Sequence, residues 1–178
     1  MIMDKNNNKN QCIYTVFEVY ERIGDTISTD CNVFNTEEKA LNFFNEFMEN
    51  HIKDFRLDDS DYGYDEDTKC FYTNRGMEDI VLYLSEHEVS NIENTTFSIV
   101  IEGIKEVDEY LQGNVTVFEN KDDANSFFNK EIDKFIDNND LDEDDYYLDD
   151  YYKTFSMKYD LDIEDGEKSD YCIDIFTG

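Results

Sequence analysis

Hydrophobic and polar residues alternate over several short stretches of the chain, and such alternation is typical of β-strands with one buried face. In the first half the pattern predicts strands at 14–22, 27–34, 69–73 and 80–86. In the second half it predicts strands at 96–104, 112–118, 153–160 and 170–176. Each half therefore contains enough strand for a small antiparallel sheet.

Between the second and third predicted strands of each half, the hydrophobic spacing changes to three and four residues, which predicts an amphipathic helix. The first helix follows a capping residue, Asn35 or Thr36, and extends to Ile52. The second extends from about Asp122 to Ile136. Because each helix has one apolar stripe, we expect it to pack on a face of the sheet of its own half. Each half then has the order β-β-α-β-β.

The two halves resemble each other at a fixed offset of 84 residues, and the stretch from Phe43 to Phe71 matches the stretch from Phe127 to Phe155 without a gap. The residues identical in both stretches are, in first-half numbers, Phe43, Phe44, Asn45, Ile52, Leu57, Asp58, Asp61, Tyr62, Asp65, Lys69 and Phe71. Self-similarity at a fixed offset indicates a repeated structural unit. The sequence therefore predicts an α+β fold that is a tandem duplication of a β-β-α-β-β unit, with antiparallel sheets related by a pseudo-twofold axis.

The repeat also divides the chain. We expect a disordered lead at 1–11, a first repeat at 12–89, a linker at 90–96 and a second repeat at 97–178. A unit of about 75 residues is marginally stable alone, because a core of that size contributes only about 3–5 kcal/mol. We therefore expect the two halves to pack together through apolar surface.

Charge is the most unusual property of the sequence. The chain has 45 Asp and Glu against 15 Lys and Arg, a formal net charge of -30, although 39% hydrophobic residues are enough for a folded core. Such a charge argues against direct binding to nucleic acid or to an anionic membrane, since both attract Lys and Arg. It favours a basic protein or a divalent cation as partner. Adaptation to high salt is an alternative, but the Asn-, Ile- and Lys-rich background is more typical of an A/T-biased coding sequence.

The cysteines and the first residues indicate the compartment. Cys12, Cys31, Cys70 and Cys172 are scattered and form no C-x-x-C motif, so neither a zinc site nor a redox motif is predicted. The first 11 residues are polar and contain no apolar signal region, and no stretch is long enough to span a membrane. We expect a cytoplasmic protein with reduced thiols, without a cofactor and without a dedicated metal site.

After its helix, each half contains a run of carboxylates and tyrosines, which we predict to be the partner-binding residues. The first acidic tract consists of Asp58, Asp59, Asp61, Tyr62, Asp65, Glu66 and Asp67. The second acidic tract consists of Asp142, Glu143, Asp144, Asp145, Tyr146, Asp149 and Asp150. Carboxylates at i and i+2 of an extended chain lie about 6.6 Å apart, and phosphates of one DNA strand about 3.4 Å apart. The tracts can thus imitate the charge density of a nucleic acid within a factor of about two, and tyrosine rings can stack on arginine. We expect the carboxylates of both halves to face outward as one continuous electronegative ridge.

Other chemistries fit the sequence less well. With Gly63 at the sixth position of a calcium loop, Tyr62 would be the fifth ligand and Lys69 the twelfth, where a carboxylate is required. Carboxylates in solvated loops lack the different environments that acid–base catalysis needs. His51 and His87 are far apart, and the chain has neither a G-x-S-x-G elbow nor a glycine-rich phosphate loop. We therefore expect a protein that is not an enzyme.

These observations predict a non-enzymatic acidic protein that mimics nucleic-acid charge and blocks the basic DNA- or RNA-binding site of a target protein. Small acidic inhibitors of restriction and CRISPR nucleases, encoded by phages and mobile elements, act in this way, and the comparison is an analogy with a class. Two alternatives are an immunity or antitoxin-like protein that neutralises a basic toxin and a low-affinity divalent-cation binder. A further alternative is that the tracts are solvated surface without a partner.

Overall fold

The computed structural model describes residues 11–22, 27–73, 78–90, 96–105, 111–157 and 170–177. Except for Gln11, the predicted disordered lead lies outside these ranges, as does the predicted linker except for Ser90 and Thr96. The turns predicted at 23–26, 74–76 and near Asp108, and the connection 161–169, also lie outside the described residues.

Two antiparallel five-stranded sheets, each with one helix, form the fold, which is α+β as predicted. The first unit contains β1 (Gln11–Arg22), β2 (Ser28–Phe34), α1 (Glu37–Phe55), β3 (Tyr62–Asp65), β4 (Cys70–Thr73) and β5 (Glu78–Val89). The second contains β6 (Ser98–Lys105), β7 (Gln112–Phe118), α2 (Lys121–Asn139), β8 (Tyr146–Asp149), β9 (Thr154–Met157) and β10 (Asp170–Thr177). The strand orders are β2-β1-β5-β4-β3 and β7-β6-β10-β9-β8.

The predicted β-β-α-β-β unit is wrong in one respect, because each sheet has a fifth strand. β3 and β8 lie inside the acidic tracts, which we predicted to be loops, and each pairs with the strand that follows it. A strand of four residues is too short to produce a clear alternation, and most of the carboxylates of each tract lie outside its strand. The inward-facing residues are nevertheless apolar rings: Tyr62 packs on Phe71 with ring centroids 5.7 Å apart, and Tyr146 packs on Phe155 at 5.1 Å. Charged residues on a short edge strand also discourage pairing with other chains.

Each helix begins at a polar cap and buries an apolar stripe on its sheet. The Oγ1 of Thr36 accepts a hydrogen bond from the N–H of Lys39, and the Oδ1 of Asn120 accepts one from the N–H of Asp122. These bonds satisfy backbone donors that have no partner within the helix. At the centre of each stripe a fully buried phenylalanine, Phe44 or Phe128, packs on the sheet. The helices therefore cover the outer face of each sheet.

The inner faces of the two sheets pack against each other, and we call this interface the seam. Along β1, Ile13, Phe17 and Val19 face the seam, while Val16 and Tyr20 face α1. Residues of both units fill the seam: Ile13, Phe17, Val19, Val81, Ile99, Ile101 and Cys172. The layers are therefore helix, sheet, sheet and helix. The prediction that the halves pack through apolar surface is confirmed.

The sheets overlap over only part of their width. β2 packs on β6 and β10, and β7 packs on β1 and β5. The strand orders then require that β3 and β4 extend beyond the seam on one side, and β8 and β9 on the opposite side. We call these pairs the first overhang and the second overhang. Since the acidic tracts include β3 and β8, they lie on the two overhangs.

At the middle of the seam, two residues of β1 contact the residues that lie 84 positions further along the chain. Val19 packs on Gly103, where an added Cβ would lie 2.7 Å from the Cγ1 of Val19, so glycine permits the close approach of the sheets. The Nζ of Lys105 lies 2.5 Å from the Oε2 of Glu21, in an ion pair that connects the two units.

Glu18 is a partly buried carboxylate between β1 and α1. Burial raises its pKa to about 6, and the negative charge of Asp30, its partner across β1 and β2, adds to this effect. A carboxyl group whose pKa is higher in the folded state binds more protons when folded, so its contribution to stability falls as the pH rises from about 4.5 to about 6.

We therefore expect Glu18→Gln to stabilise the protein at pH 7.5 by about 1 kcal/mol, a value reduced for the partial exposure of the side chain. At pH 4.0 the two proteins should be nearly equally stable, because Glu18 is then mostly neutral in both the folded and the unfolded state. Urea unfolding at pH 4.0 and pH 7.5 measures the difference, with Glu46→Gln on the exposed face of α1 as control. A gain of the same size at both values would contradict the titration of Glu18.

Candidate functional site

The two acidic tracts have the same local structure. In the first, the C-cap residue of α1, Arg56, has φ 53°, the next residue is buried, and a turn then leads into β3. In the second, the C-cap residue of α2, Asp140, has φ 52°, and the chain enters β8 in the same way. A second pair of residues with positive φ, Lys69 and Lys153, follows each edge strand at the same offset. Each tract is thus an ordered connection between a helix and two short strands.

Some carboxylates of the tracts accept hydrogen bonds from nearby backbone N–H groups. The Oδ2 of Asp61 accepts a hydrogen bond from the N–H of Asp58 at 2.9 Å, and the Oδ2 of Asp145 accepts one from the N–H of Asp142 at 2.8 Å. Carboxylates that bond nearby backbone N–H groups stabilise turns. The same carboxylates therefore contribute to the fold and to the charge of each tract.

The turn after each edge strand is held in a similar way. The Oδ1 of Asp65 accepts bonds from the N–H groups of Asp67 and Thr68. The Oδ1 of Asp149 accepts bonds from Tyr151 at 2.8 Å and Tyr152 at 2.9 Å.

These bonds keep carboxylates ionised. The N–H of Thr68 lowers the pKa of Asp65, and the N–H of Tyr152 lowers that of Asp149. The hydroxyl of Ser60 lowers the pKa of Asp58. Hydrogen bonds to the charged form favour it. These three tract carboxylates are therefore negative at and below neutral pH.

We expect Asp149→Ala to lower the midpoint of urea unfolding at pH 7, because the turn loses its acceptor. Asp150→Ala should leave the midpoint nearly unchanged, since Asp150 forms an exposed ion pair with Lys153 at 3.0 Å. A lowered pKa stabilises the fold above the ordinary value of 3.8 and loses this contribution as the pH falls through the lowered value. The difference between wild type and Asp149→Ala should therefore shrink below pH 4. Equal effects of the two substitutions would contradict the role of Asp149.

The predicted tract residues differ in exposure. Nine are exposed: Asp58, Asp59, Asp65, Glu66, Asp67, Asp142, Glu143, Asp144 and Asp150. Five are half-buried: Asp61, Tyr62, Asp145, Tyr146 and Asp149. Tyr62 and Tyr146 pack inward on the sheet, as described above. More exposed rings lie beside them on the overhangs, namely Tyr64, Tyr72, Tyr147, Tyr151 and Tyr152. Among these, Tyr151 and Tyr152 are 86% and 71% exposed, which leaves their faces open to a cation.

The two tracts lie at opposite ends of the molecule. In the first sheet, β3 lies two strand positions beyond β5, and β5 packs on β7 of the second sheet. In the second sheet, β8 lies four positions from β7 in the opposite direction. At about 4.8 Å for each strand, six positions correspond to about 30 Å. The tracts are therefore two separate acidic patches at a distance fixed by the seam.

Metal and nucleophile chemistry receives little support from the described residues. Among them, no group of three or more His, Cys, Asp or Glu is placed to hold a metal ion. The ring of His51 packs among Phe47, Phe55 and Phe71. None of the four cysteines, all of which lie within the described residues, forms a disulfide. Burial raises the pKa of Cys31 to about 12, so this thiol is unreactive at neutral pH.

Each overhang forms a cleft with the edge of the other sheet. The first seam cleft, of about 400 Å³, lies between the first overhang and Leu111 before β7. The second seam cleft, of about 420 Å³, lies between the second overhang and the start of β2 at Ile27 to Thr29. Its walls include Asp174, which sequence reasoning missed. The available signal was a single carboxylate between Cys172 and Phe176 on the seam-facing side of an alternating strand.

No protein-family model, no curated protein and no solved structure matches the chain. Among the residues that the structure describes, no helix is long and apolar enough to cross a membrane. The function has to follow from the surfaces of the protein itself.

Proposed function

We propose that this is a non-enzymatic acidic protein that mimics nucleic-acid charge and blocks the basic DNA- or RNA-binding site of a target protein. The observation that supports it most is the paired placement of two ordered acidic patches about 30 Å apart. One turn of duplex DNA measures about 34–36 Å. Two patches at this distance match phosphates about one turn apart on one face of a duplex. A target with two basic surfaces at that spacing could bind both patches together.

The carboxylates that are held by turn hydrogen bonds also support the proposed mimicry of nucleic acid. Because Asp65 and Asp149 are held by backbone hydrogen bonds, their negative charges keep one position before and after binding. Groups that are already ordered lose less conformational entropy when they bind. Charge-assisted hydrogen bonds to Arg and Lys would supply the affinity, and exposed tyrosines would stack on guanidinium groups.

We also propose that the two units arose by tandem duplication and are related by a pseudo-twofold axis through the seam. A residue can contact its own counterpart across a twofold axis only where it lies close to that axis. Val19 with Gly103, and Glu21 with Lys105, are two such pairs. Strand pairing supports the relation too, since Tyr14 pairs with Phe34 and, 84 residues later, Ser98 pairs with Phe118. Such an axis would give both patches the same orientation toward a twofold-symmetric target.

Competition tests the proposed function. The immobilised chain is incubated with a nuclease-treated bacterial lysate, bound protein is eluted with a salt gradient, and the recovered protein is then mixed with duplex DNA or with RNA. We expect a basic protein that elutes well below 1 M salt, where the Debye length is about 3 Å. We also expect the nucleic acid and the chain to exclude each other from it.

Three results would contradict the proposal. A captured protein that binds nucleic acid and the chain simultaneously would indicate an inhibitor acting elsewhere on its target, as an immunity protein can. Affinity unchanged up to 1 M salt would exclude a charge mimic. Capture of no protein would favour solvated surface without a partner.

A further inference from the structure

The second seam cleft contains a carboxylate in an unusual setting. The Oδ2 of Asp174 accepts a hydrogen bond from the hydroxyl of Thr29 at 2.5 Å, and its Oδ1 accepts one from the hydroxyl of Thr154. Burial raises the pKa of Asp174, while the two hydroxyls oppose this effect. A carboxylate has about four lone-pair positions, so two remain for another donor. No described Lys or Arg lines the cleft.

The equivalent positions of the first seam cleft carry different side chains. There Tyr83 takes the position of Asp174. Tyr83 pairs with Phe17, and Asp174 pairs with Ile101, the residue that lies 84 positions after Phe17. Cys70 likewise takes the position of Thr154. An aromatic ring and a thiol thus replace a carboxylate and a hydroxyl. A carboxylate at this position is therefore a property of the second cleft alone.

The two edge strands of each overhang form the outer wall of its cleft, and the bulky side chain of this wall lies on a different strand in each cleft. In the first unit, Tyr72 of β4 covers its cross-strand partner Gly63, where an added Cβ would lie 2.3 Å from the Cζ of Tyr72. In the second unit the order is reversed, because Tyr147 of β8 pairs with Ser156 of β9. The small serine and Asp174 both line the second cleft. The Tyr147 hydroxyl donates to the Oδ2 of Asp149 at 3.1 Å, which orients the ring at the edge of the cleft.

We propose that the second seam cleft binds an arginine side chain of the basic partner. A guanidinium group is planar, carries five donors, is weakly hydrated and stacks on aromatic rings, so it matches a partly buried carboxylate beside tyrosines. Tyr147 and Tyr152 supply the rings, and Asp174 supplies the acceptor atoms. A volume of about 420 Å³ is within the range of about 300–1,000 Å³ typical of ligand pockets. That the cation belongs to a partner protein rests on the proposed function, whereas cation binding rests on the cleft itself.

Binding of n-butylguanidinium to the full chain tests this inference without any partner. Isothermal titration calorimetry should give saturable binding that Asp174→Asn weakens at least 10-fold. The neutral isostere n-butylurea should bind at least 10-fold more weakly than the cation. Glu46→Gln, which changes the net charge by the same amount on the exposed face of α1, should alter the affinity less than twofold.

A second variant covers the case in which Asp174→Asn does not fold. The exchange Tyr147→Gly with Ser156→Tyr copies the wall of the first cleft, retains Asp174 and should also weaken binding at least 10-fold. Wild-type affinity in either folded variant, equal affinity for n-butylurea, or an equal loss in Glu46→Gln would overturn the inference. Because the chain is tested alone, failure here would leave the competition experiment on the acidic tracts unaffected, and the reverse also holds.

Discussion

Exchanging the two residues that meet at the middle of the seam should cost less stability than either single substitution alone. Gly103→Val is expected to cost about 3 kcal/mol, because its side chain would overlap Val19, Ile27 and Cys172, which lie within 2.9 Å of an added Cβ. Val19→Gly is expected to cost about 3 kcal/mol as well, since it leaves a cavity and places a flexible residue in β1. The double variant should cost only about 2 kcal/mol.

Urea unfolding of the four proteins forms a double-mutant cycle. A coupling energy of about 3 kcal/mol or more would agree with a seam in which Val19 and Gly103 occupy equivalent positions facing each other. Val16→Gly combined with Gly103→Val provides the matched control, because Val16 is equally buried but faces α1. Costs that simply add in the first pair would contradict the close approach of the sheets at this point.

Neutralising three exposed carboxylates of either acidic tract should weaken binding to the captured target about 100-fold, if each removed charge costs about 1 kcal/mol. The first variant combines Asp59→Asn, Glu66→Gln and Asp67→Asn. The second combines Glu143→Gln, Asp144→Asn and Asp150→Asn. Both retain the carboxylates that accept turn hydrogen bonds, namely Asp61, Asp65, Asp145 and Asp149. The loss should therefore come from charge and not from unfolding.

A control variant removes three exposed carboxylates of α1, through Glu46→Gln, Glu49→Gln and Asp54→Asn. It has the same net charge as each tract variant, so long-range attraction is matched. We expect its affinity to fall less than threefold, measured by surface plasmon resonance over a range of salt concentrations. An equal loss in all three variants would mean that the target responds to total charge, and the tracts would then have no special role.

The elements were predictable because their signals are local. The alternation that predicts β1 can be read over a few consecutive residues. The spacing that predicts α1, for example that of Phe43, Phe44 and Phe47, can be read over one or two helical turns. The fifth strand of each sheet was not predictable, since a strand of four residues such as Tyr62–Asp65 is too short to show a clear alternation. Pairing with β4 decides the conformation there.

The layout of the site depended on tertiary structure. The sequence predicted two similar acidic tracts, but the expectation that their carboxylates form one continuous ridge is wrong. The sheets overlap over only part of their width, and this places the tracts at opposite ends. Gly103 gave a readable signal, because a glycine inside a strand often marks a close approach of another backbone. Asp65 and Asp149 both stabilise a turn and contribute charge, and no signal of this double role is visible in the sequence. A carboxylate that accepts turn hydrogen bonds cannot be told from other carboxylates in a sequence.

Under the proposed function, the opposite placement of the two overhangs would make the protein a bivalent ligand whose two ends are separated by the seam. Once one end is bound, the other faces its site at a high effective concentration, provided that the target has a second basic surface at the same distance. A target with one such surface gains no avidity from the second end. The width of the seam would therefore decide which proteins are bound tightly, independently of the affinity of either end alone.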